Sequence, residues 1–159
     1  MKQVSKNPSL NKTITIESPI AFSSTGVDGL VTGTNFSTLI RGQRVRVTVT
    51  GGTAQGFTTA RDYFVIPVSS TEIKLAESRS DALKSINITT TGNAGAGTLA
   101  PAYLVGGVLY VGTEGYVNIR GIDSEVFSVH KGLQGWVPPM VGEIHSVDTT
   151  ATDIVGWEG

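Results

Sequence analysis

The sequence predicts an all-β protein: two small antiparallel β-sandwich or barrel units with at most one short helix. Three observations carry this. Several short runs alternate apolar and polar residues with a period of two, as half-buried strands do. Glycines fall between those runs at roughly the eight-to-ten-residue spacing of a sandwich or barrel. No run keeps a helical period over three turns. Composition agrees: threonine is about as frequent as the 20 glycines, which suits pleated surfaces joined by tight turns.

The elements follow in order. Residues 1–11 are polar and interrupted by Pro8, and read as an extended arm. From Lys12 to Glu17, Ile14 and Ile16 alternate with Thr13 and Thr15, a strand pattern. Residues 23–35 hold Gly26, Gly29 and Gly33 and read as loop or short hairpin. Gln43 to Thr50 is the clearest strand, with Val45, Val47 and Val49 toward a core and Arg44, Arg46, Thr48 and Thr50 away from it. Gly51-Gly52 turns the chain. Tyr63 to Ile66 is a further strand stopped by Pro67, which cannot donate to a ladder and marks an edge or a strand end. Ile73 and Leu75 alternate with Glu72 and Lys74. Ser80 to Lys84 is the one helical stretch, capped by Ser78 or Ser80. Ile86 and Ile88 begin another strand, and residues 92–98, rich in Gly and Ala, read as a loop.

That loop divides the chain into an arm (1–11), a β module (12–99) and a second β domain (100–159). The second domain is expected to hold strands at 108–111, 116–120, 126–130, 140–147 and 153–157.

The 159 residues carry a formal charge of −1 and only 16% charged residues, below the roughly 25% of ordinary domains. A nucleic-acid binder would show a basic excess, so no nucleic-acid partner is expected. There is no cysteine, hence no disulfide or thiolate metal site. No apolar stretch reaches the length of a membrane span, and the N-terminus lacks a signal-peptide run. A soluble, cytoplasmically made chain without membrane contact is expected. The sequons at Asn11, Asn35 and Asn87 then carry no meaning.

Chemistry-bearing constellations are sparse. His130 and His145 with Asp123, Glu125 or Glu143 offer metal-ligand types, but no short spacing pairs the imidazoles, and both histidines read as surface positions on strands. No nucleophile motif occurs, and Gly92 to Gly97 lacks the Lys-Ser/Thr and following helix of a phosphate loop. No catalytic, cofactor or metal residues are therefore assigned, and no enzymatic activity is expected. Arg41, Arg44 and Arg46 form a basic stripe, read as a solvated face partnered by an acid on the adjacent strand. Trp157, near the C-terminus, reads either as an anchor for a neighbouring subunit or as the closure of its own domain. Candidate assembly contacts are Trp136, Trp157, Lys2, Lys6, Arg44 and Arg46.

Two blocks carry a resemblance. Gly42 to Thr48, Ala60 to Ile66, Glu72 to Ala76, Asp81-Ala82-Leu83 and Ile88 to Gly92 resemble, in that order, a β module that recurs in phage tail, fibre and other virion proteins. Leu109 to Ile119, Val137 to Val141 and Thr149 to Val155 resemble the small β domain of the spike-base family of phages and gene transfer agents. The chain departs from that pattern in having a module in front and in running on through Gly156 to Gly159. The resemblance implies a non-enzymatic bacteriophage structural protein, located in the virion and acting as a homo-oligomer on other virion proteins. It would be head-associated, as a capsid decoration protein or head-spike base docked on the major capsid protein. The alternatives are a neck or tail adaptor or fibre-attachment subunit, and a carbohydrate-binding module of a host-recognition structure. The last would use Trp136, Tyr103, Tyr110 or Tyr116, with Asn118 and Arg120 as flanking hydrogen-bonding groups.

Overall fold

The computed structural model describes residues 11–24, 28–51, 57–89 and 95–158. The chain is all-β, with nine strands, one α-helix and one 3-10 turn in that described part. It divides into two compact units, residues 17–103 and residues 1–16 together with 104–159.

The first unit is a closed barrel. Its strands are β2 (Ile20–Ser24), β3 (Leu30–Gly33), β4 (Arg44–Gly51), β5 (Arg61–Pro67), β6 (Glu72–Ala76) and the opening segment of β7 (Gly95–Gly121). The order around the ring is β2-β3-β6-β5-β4-β7, and β7 closes it by pairing on one side with β2 and on the other with β4. Leu99 is the register partner of both Ile20 and Val47, and Gly97 of both Phe22 and Val49. All pairings are antiparallel. Closure leaves none of these strands with an open side in the ring, which removes the usual route to edge-to-edge aggregation.

Alternation places Phe22, Val31, Val45, Val47, Tyr63, Val65, Ile73, Leu75 and Leu99 inside. Each such side chain contributes about 1.5–3 kcal/mol on full burial. Phe57 stands edge-on to both Phe22 and Tyr63, at 6.3 and 5.8 Å between centroids. The Tyr63 hydroxyl accepts the Thr58 amide at 2.8 Å, so its polar end is satisfied inside the core. Pro67 ends β5 opposite Ile73; β5 lies between β4 and β6, so the proline marks a strand end and not an edge.

The helix α1 (Arg79–Leu83) forms where the sequence places it. Ser78 caps it, accepting the Asp81 amide at 3.0 Å, while its hydroxyl donates to the Asp81 carboxylate at 2.7 Å. Arg41 closes the other end, donating to the Ala82 carbonyl (3.1 Å) and the Ser85 hydroxyl (2.7 Å). Ala82 packs on Phe64, Ile66 and Ala76, the outward residues of β5 and β6.

The second unit joins β1 (Asn11–Ile14), β9 (Thr152–Glu158) and the later part of β7 in the order β1-β9-β7, all antiparallel, with β8 (Ser128–His145) also paired to β7. Ile14, Leu109, Val111, Val117, Ile119, Val137, Val141, Ile144 and Ile154 are buried in it.

Four expectations need correction. Residues 95–98 are strand and not loop. Their small residues serve close approach: a Cβ on Gly97 would stand 2.3 Å from the Thr48 carbonyl oxygen and 2.8 Å from the Phe22 ring. Residues 92–94 of the expected loop lie outside the described residues. Lys12 to Ile14 belongs with the C-terminal strands, because it pairs with Ile154 to Gly156, so the first module does not begin at 12. The division between the units falls at 103/104, inside β7, and not in a linker ahead of residue 100. Ile86 to Thr89 form no strand; the Ile88 amide bonds the Leu75 carbonyl at 2.9 Å and its side chain packs on the barrel core. The arm ahead of Asn11, and the Gly52 half of the expected Gly51-Gly52 turn, lie outside the described residues.

Gly97→Ala tests the closure. The added methyl meets a backbone carbonyl that cannot rotate away, so a loss of about 3 kcal/mol is expected, and a melting point lower by about 6–12 °C. Thermal melting followed by circular dichroism reads this, and a parent-like melting point contradicts the close approach.

Candidate functional site

The side chains that sequence singled out separately, Trp136 and Trp157, come together in the second unit. Their ring centroids lie 4.9 Å apart with planes tilted by 40°. Tyr110 stands edge-on to Trp136 at 5.3 Å. The register brings Tyr110 and Trp157 to one face, and Trp136 reaches it from β8, which pairs with β7. Trp157 on β9 is the direct partner of Val108 on β7, and Val155 of Tyr110, so the four share one face of the sheet. On the other side of β9, Thr13 is the partner of Val155 on that same face. The opposite face carries the buried Leu109, Val111 and Ile154.

Trp136 remains 61% exposed despite both aromatic contacts, while Trp157 is half-buried. Of the two readings of Trp157, neither is complete. It lies within a strand held on both sides, by Asn11 and by Val108, and not on a tail. It also packs on the outward face and not in the core.

Arg44 and Arg46 behave differently from the expected solvated stripe. Both reach one carboxylate, that of Asp62 on β5, which lies directly across from Arg46. Arg46 grips it with two nitrogens, at 2.8 and 3.3 Å, and Arg44 approaches at 3.4 Å. The acid on the adjacent strand is as expected; the solvation of Arg44 is not. Arg44 is 9% exposed, with its guanidinium 5.0 Å from the Phe64 ring centroid, because Phe64 is its cross-strand partner. Arg41 lies off the strand and caps α1. Lys2 and Lys6 lie outside the described residues.

His130 is exposed, as its reading requires, but His145 is fully buried. Parity fails there because residues 141–146 are buried on both faces. The His145 ring stands edge-on to Phe127 at 5.2 Å, and its Nδ1 accepts the Val147 amide at 3.1 Å. Beside it on β8, Glu143 pairs with Arg120 at 2.9 Å, with side chains 8% and 10% exposed. Arg120 also donates to the carbonyls of Gly121 and Ser124 and so holds the turn between β7 and β8. Among the described residues, no three His, Asp or Glu side chains group as metal ligands do, and no helix is long and apolar enough to cross a membrane.

The residues named for sugar recognition are scattered. Asn118 is buried, donating from its side chain to the Val147 carbonyl, and Arg120 is engaged as above. The Tyr103 hydroxyl accepts the Glu17 amide at 3.0 Å. Burial raises its pKa above the usual 10.0, against a smaller downward pull from that amide. Tyr116 carries Lys131 over its ring at 5.8 Å. Of the named aromatics only Tyr110 and Trp136 meet.

Sequence reasoning missed the Arg120–Glu143 pair, Asp62, and the two valines of the aromatic face. Val108 had a signal, since Val108 and Tyr110 alternate with Leu109 and Val111; the identity of the paired acids had none, because it depends on which strands become neighbours.

Removing one partner of the buried pair leaves the other charge uncompensated. Glu143→Ala is expected to cost about 3–5 kcal/mol, whereas Arg120→Leu with Glu143→Leu should restore most of it. Urea denaturation of the three chains measures both, and a double variant no better than the single contradicts the pairing as the cause.

Comparison of the chain with protein-family models, with curated proteins and with solved structures finds no match.

Proposed function

We propose that this chain is a non-enzymatic structural protein of a bacteriophage virion, head-associated, as a capsid decoration protein or head-spike base. It would be made in the host cytoplasm and act as a homo-oligomer docked on the major capsid protein. The single observation that carries an assembly role is the outward aromatic face of Tyr110, Trp136 and Trp157, with Trp136 exposed and the other two half-buried, on a sheet whose other face is packed. Aromatic anchors of this kind dominate interface energetics. The resemblances at residues 42–92 and 109–155 supply the virion context. A closed barrel suits the part, since it contributes rigidity without offering open strands for unintended pairing. Trp136 and Trp157 are the assembly residues under this reading, whereas Arg44 and Arg46 turn to Asp62 and serve the barrel. The carbohydrate reading keeps the aromatic pair but loses its flanking groups, because Asn118 and Arg120 are engaged inside the unit.

Quantitative mass spectrometry of purified particles, with tails and heads separated, tests the proposal. Many copies per head are expected. Its absence from the particle overturns the virion reading, and its confinement to the tail fraction replaces the head assignment with the neck or tail alternative.

A further inference from the structure

We propose that the aromatic face of the second unit is a contact between two copies of this chain, each presenting the same patch to the other. The inference rests on the assembly reading and names its partner and surface.

Six outward positions define the patch: Thr13, Val108, Tyr110, Trp136, Val155 and Trp157. The registers place five of them in two cross-strand rows, and ring contacts add Trp136. None of the six is charged. This makes a second copy of the chain a compatible partner. A patch that meets its own copy must be compatible with itself, and a charged patch is not, because it would set like charges against each other in a desolvated contact. A neutral, aromatic patch has no such penalty.

Area points the same way. At these exposures the patch offers on the order of 300 Å² of apolar surface. That is as large as the biggest patch on many monomers, and more than a third of the roughly 800 Å² that each partner buries in a standard interface. The proportion fits the desolvated centre of an interface, with the polar rim supplied by the surface around it. Trp136, the most exposed of its aromatic members, is the hot spot. Its contacts with Tyr110 and Trp157 hold the ring in place before binding, so less side-chain entropy is lost when it docks.

The chain contains two tryptophans, and both lie in this patch, so tryptophan emission, excited selectively over the tyrosines, reports on this patch alone. Light scattering coupled to size exclusion, and tryptophan emission over a dilution series of the full chain, are measured together. A mass that is a multiple of one chain is expected, falling on dilution in step with a red shift of emission. Trp136→Ser should raise the dissociation constant about 30-fold or more with an unchanged far-UV spectrum. Val68→Ser, an exposed apolar position in the barrel unit, should leave it unchanged as a control. A second probe, Tyr110→Ser, keeps both tryptophans and should weaken association in the same direction.

A single-chain mass throughout overturns the inference. So does a multiple that is indifferent to both patch variants; the copies then meet elsewhere, and the assembly reading stands without this surface. Two other occupants would also overturn it. A change of emission on deleting residues 1–10 from a chain already single would assign the patch to the chain's own N-terminal segment. Oligosaccharides that quench the emission of a single chain would assign it to a sugar. Failure of the virion reading shows separately, as absence from purified particles.

Discussion

The structure depends on one strand making two sets of hydrogen bonds. Residues 95–101 of β7 pair with β2 on one side and β4 on the other, and without them the remaining five strands are an open sheet with two free edges. At Gly97 this strand comes so close to the Thr48 carbonyl and the Phe22 ring that no side chain fits. Leu99, between Ile20 and Val47, is its one large core side chain, and Gly97 makes room for the Phe22 ring. Aromatic cover over a strand glycine offsets part of what glycine costs in a sheet. Further along, the same strand pairs with β9 in the second unit, so β7 contributes to both.

This explains what could be read in the sequence and what could not. Val45, Val47 and Val49 announce β4, and Ile73 with Leu75 announces β6, because alternation reports which side of a strand faces a core. Ser78 announces the helix cap, because capping is a local bond between residues three apart. Residues 95–98 were illegible for the opposite reason. Their Gly and Ala content is the signature of a flexible loop and equally of a crowded strand, and only the neighbours Phe22 and Thr48 decide between the two. Lys12 to Ile14 carried a true strand pattern with no indication of its partner, since pairing with Ile154 to Gly156 spans almost the whole chain.

The candidate surface was legible by residue type and not by place. Trp136 and Trp157 stand out in a sequence with few aromatics, yet nothing local says that their rings meet. The β7–β9 register sets Trp157 beside Val108 and two residues along from Tyr110, and Trp136, on β8 beside β7, meets both rings from there. The charged residues show the converse. Arg44 and Arg46 look like a surface available to a partner, and Asp62 and Phe64 on the neighbouring strand occupy them. His145 looks like an exposed strand residue, and the packing of residues 141–146 on both faces buries it. Long-range strand order, more than side-chain identity, separates the groups left for function from those consumed by the fold.

The central claim is that β7 closes the first unit, and two fragments measure it directly: residues 17–103, which contain the closing segment, and residues 17–94, which do not. Urea unfolding of each is followed by tyrosine fluorescence and circular dichroism. The account predicts one cooperative transition for 17–103 and no cooperative transition for 17–94. Equal cooperative folding of both fragments, or an unfolded 17–103, would contradict it.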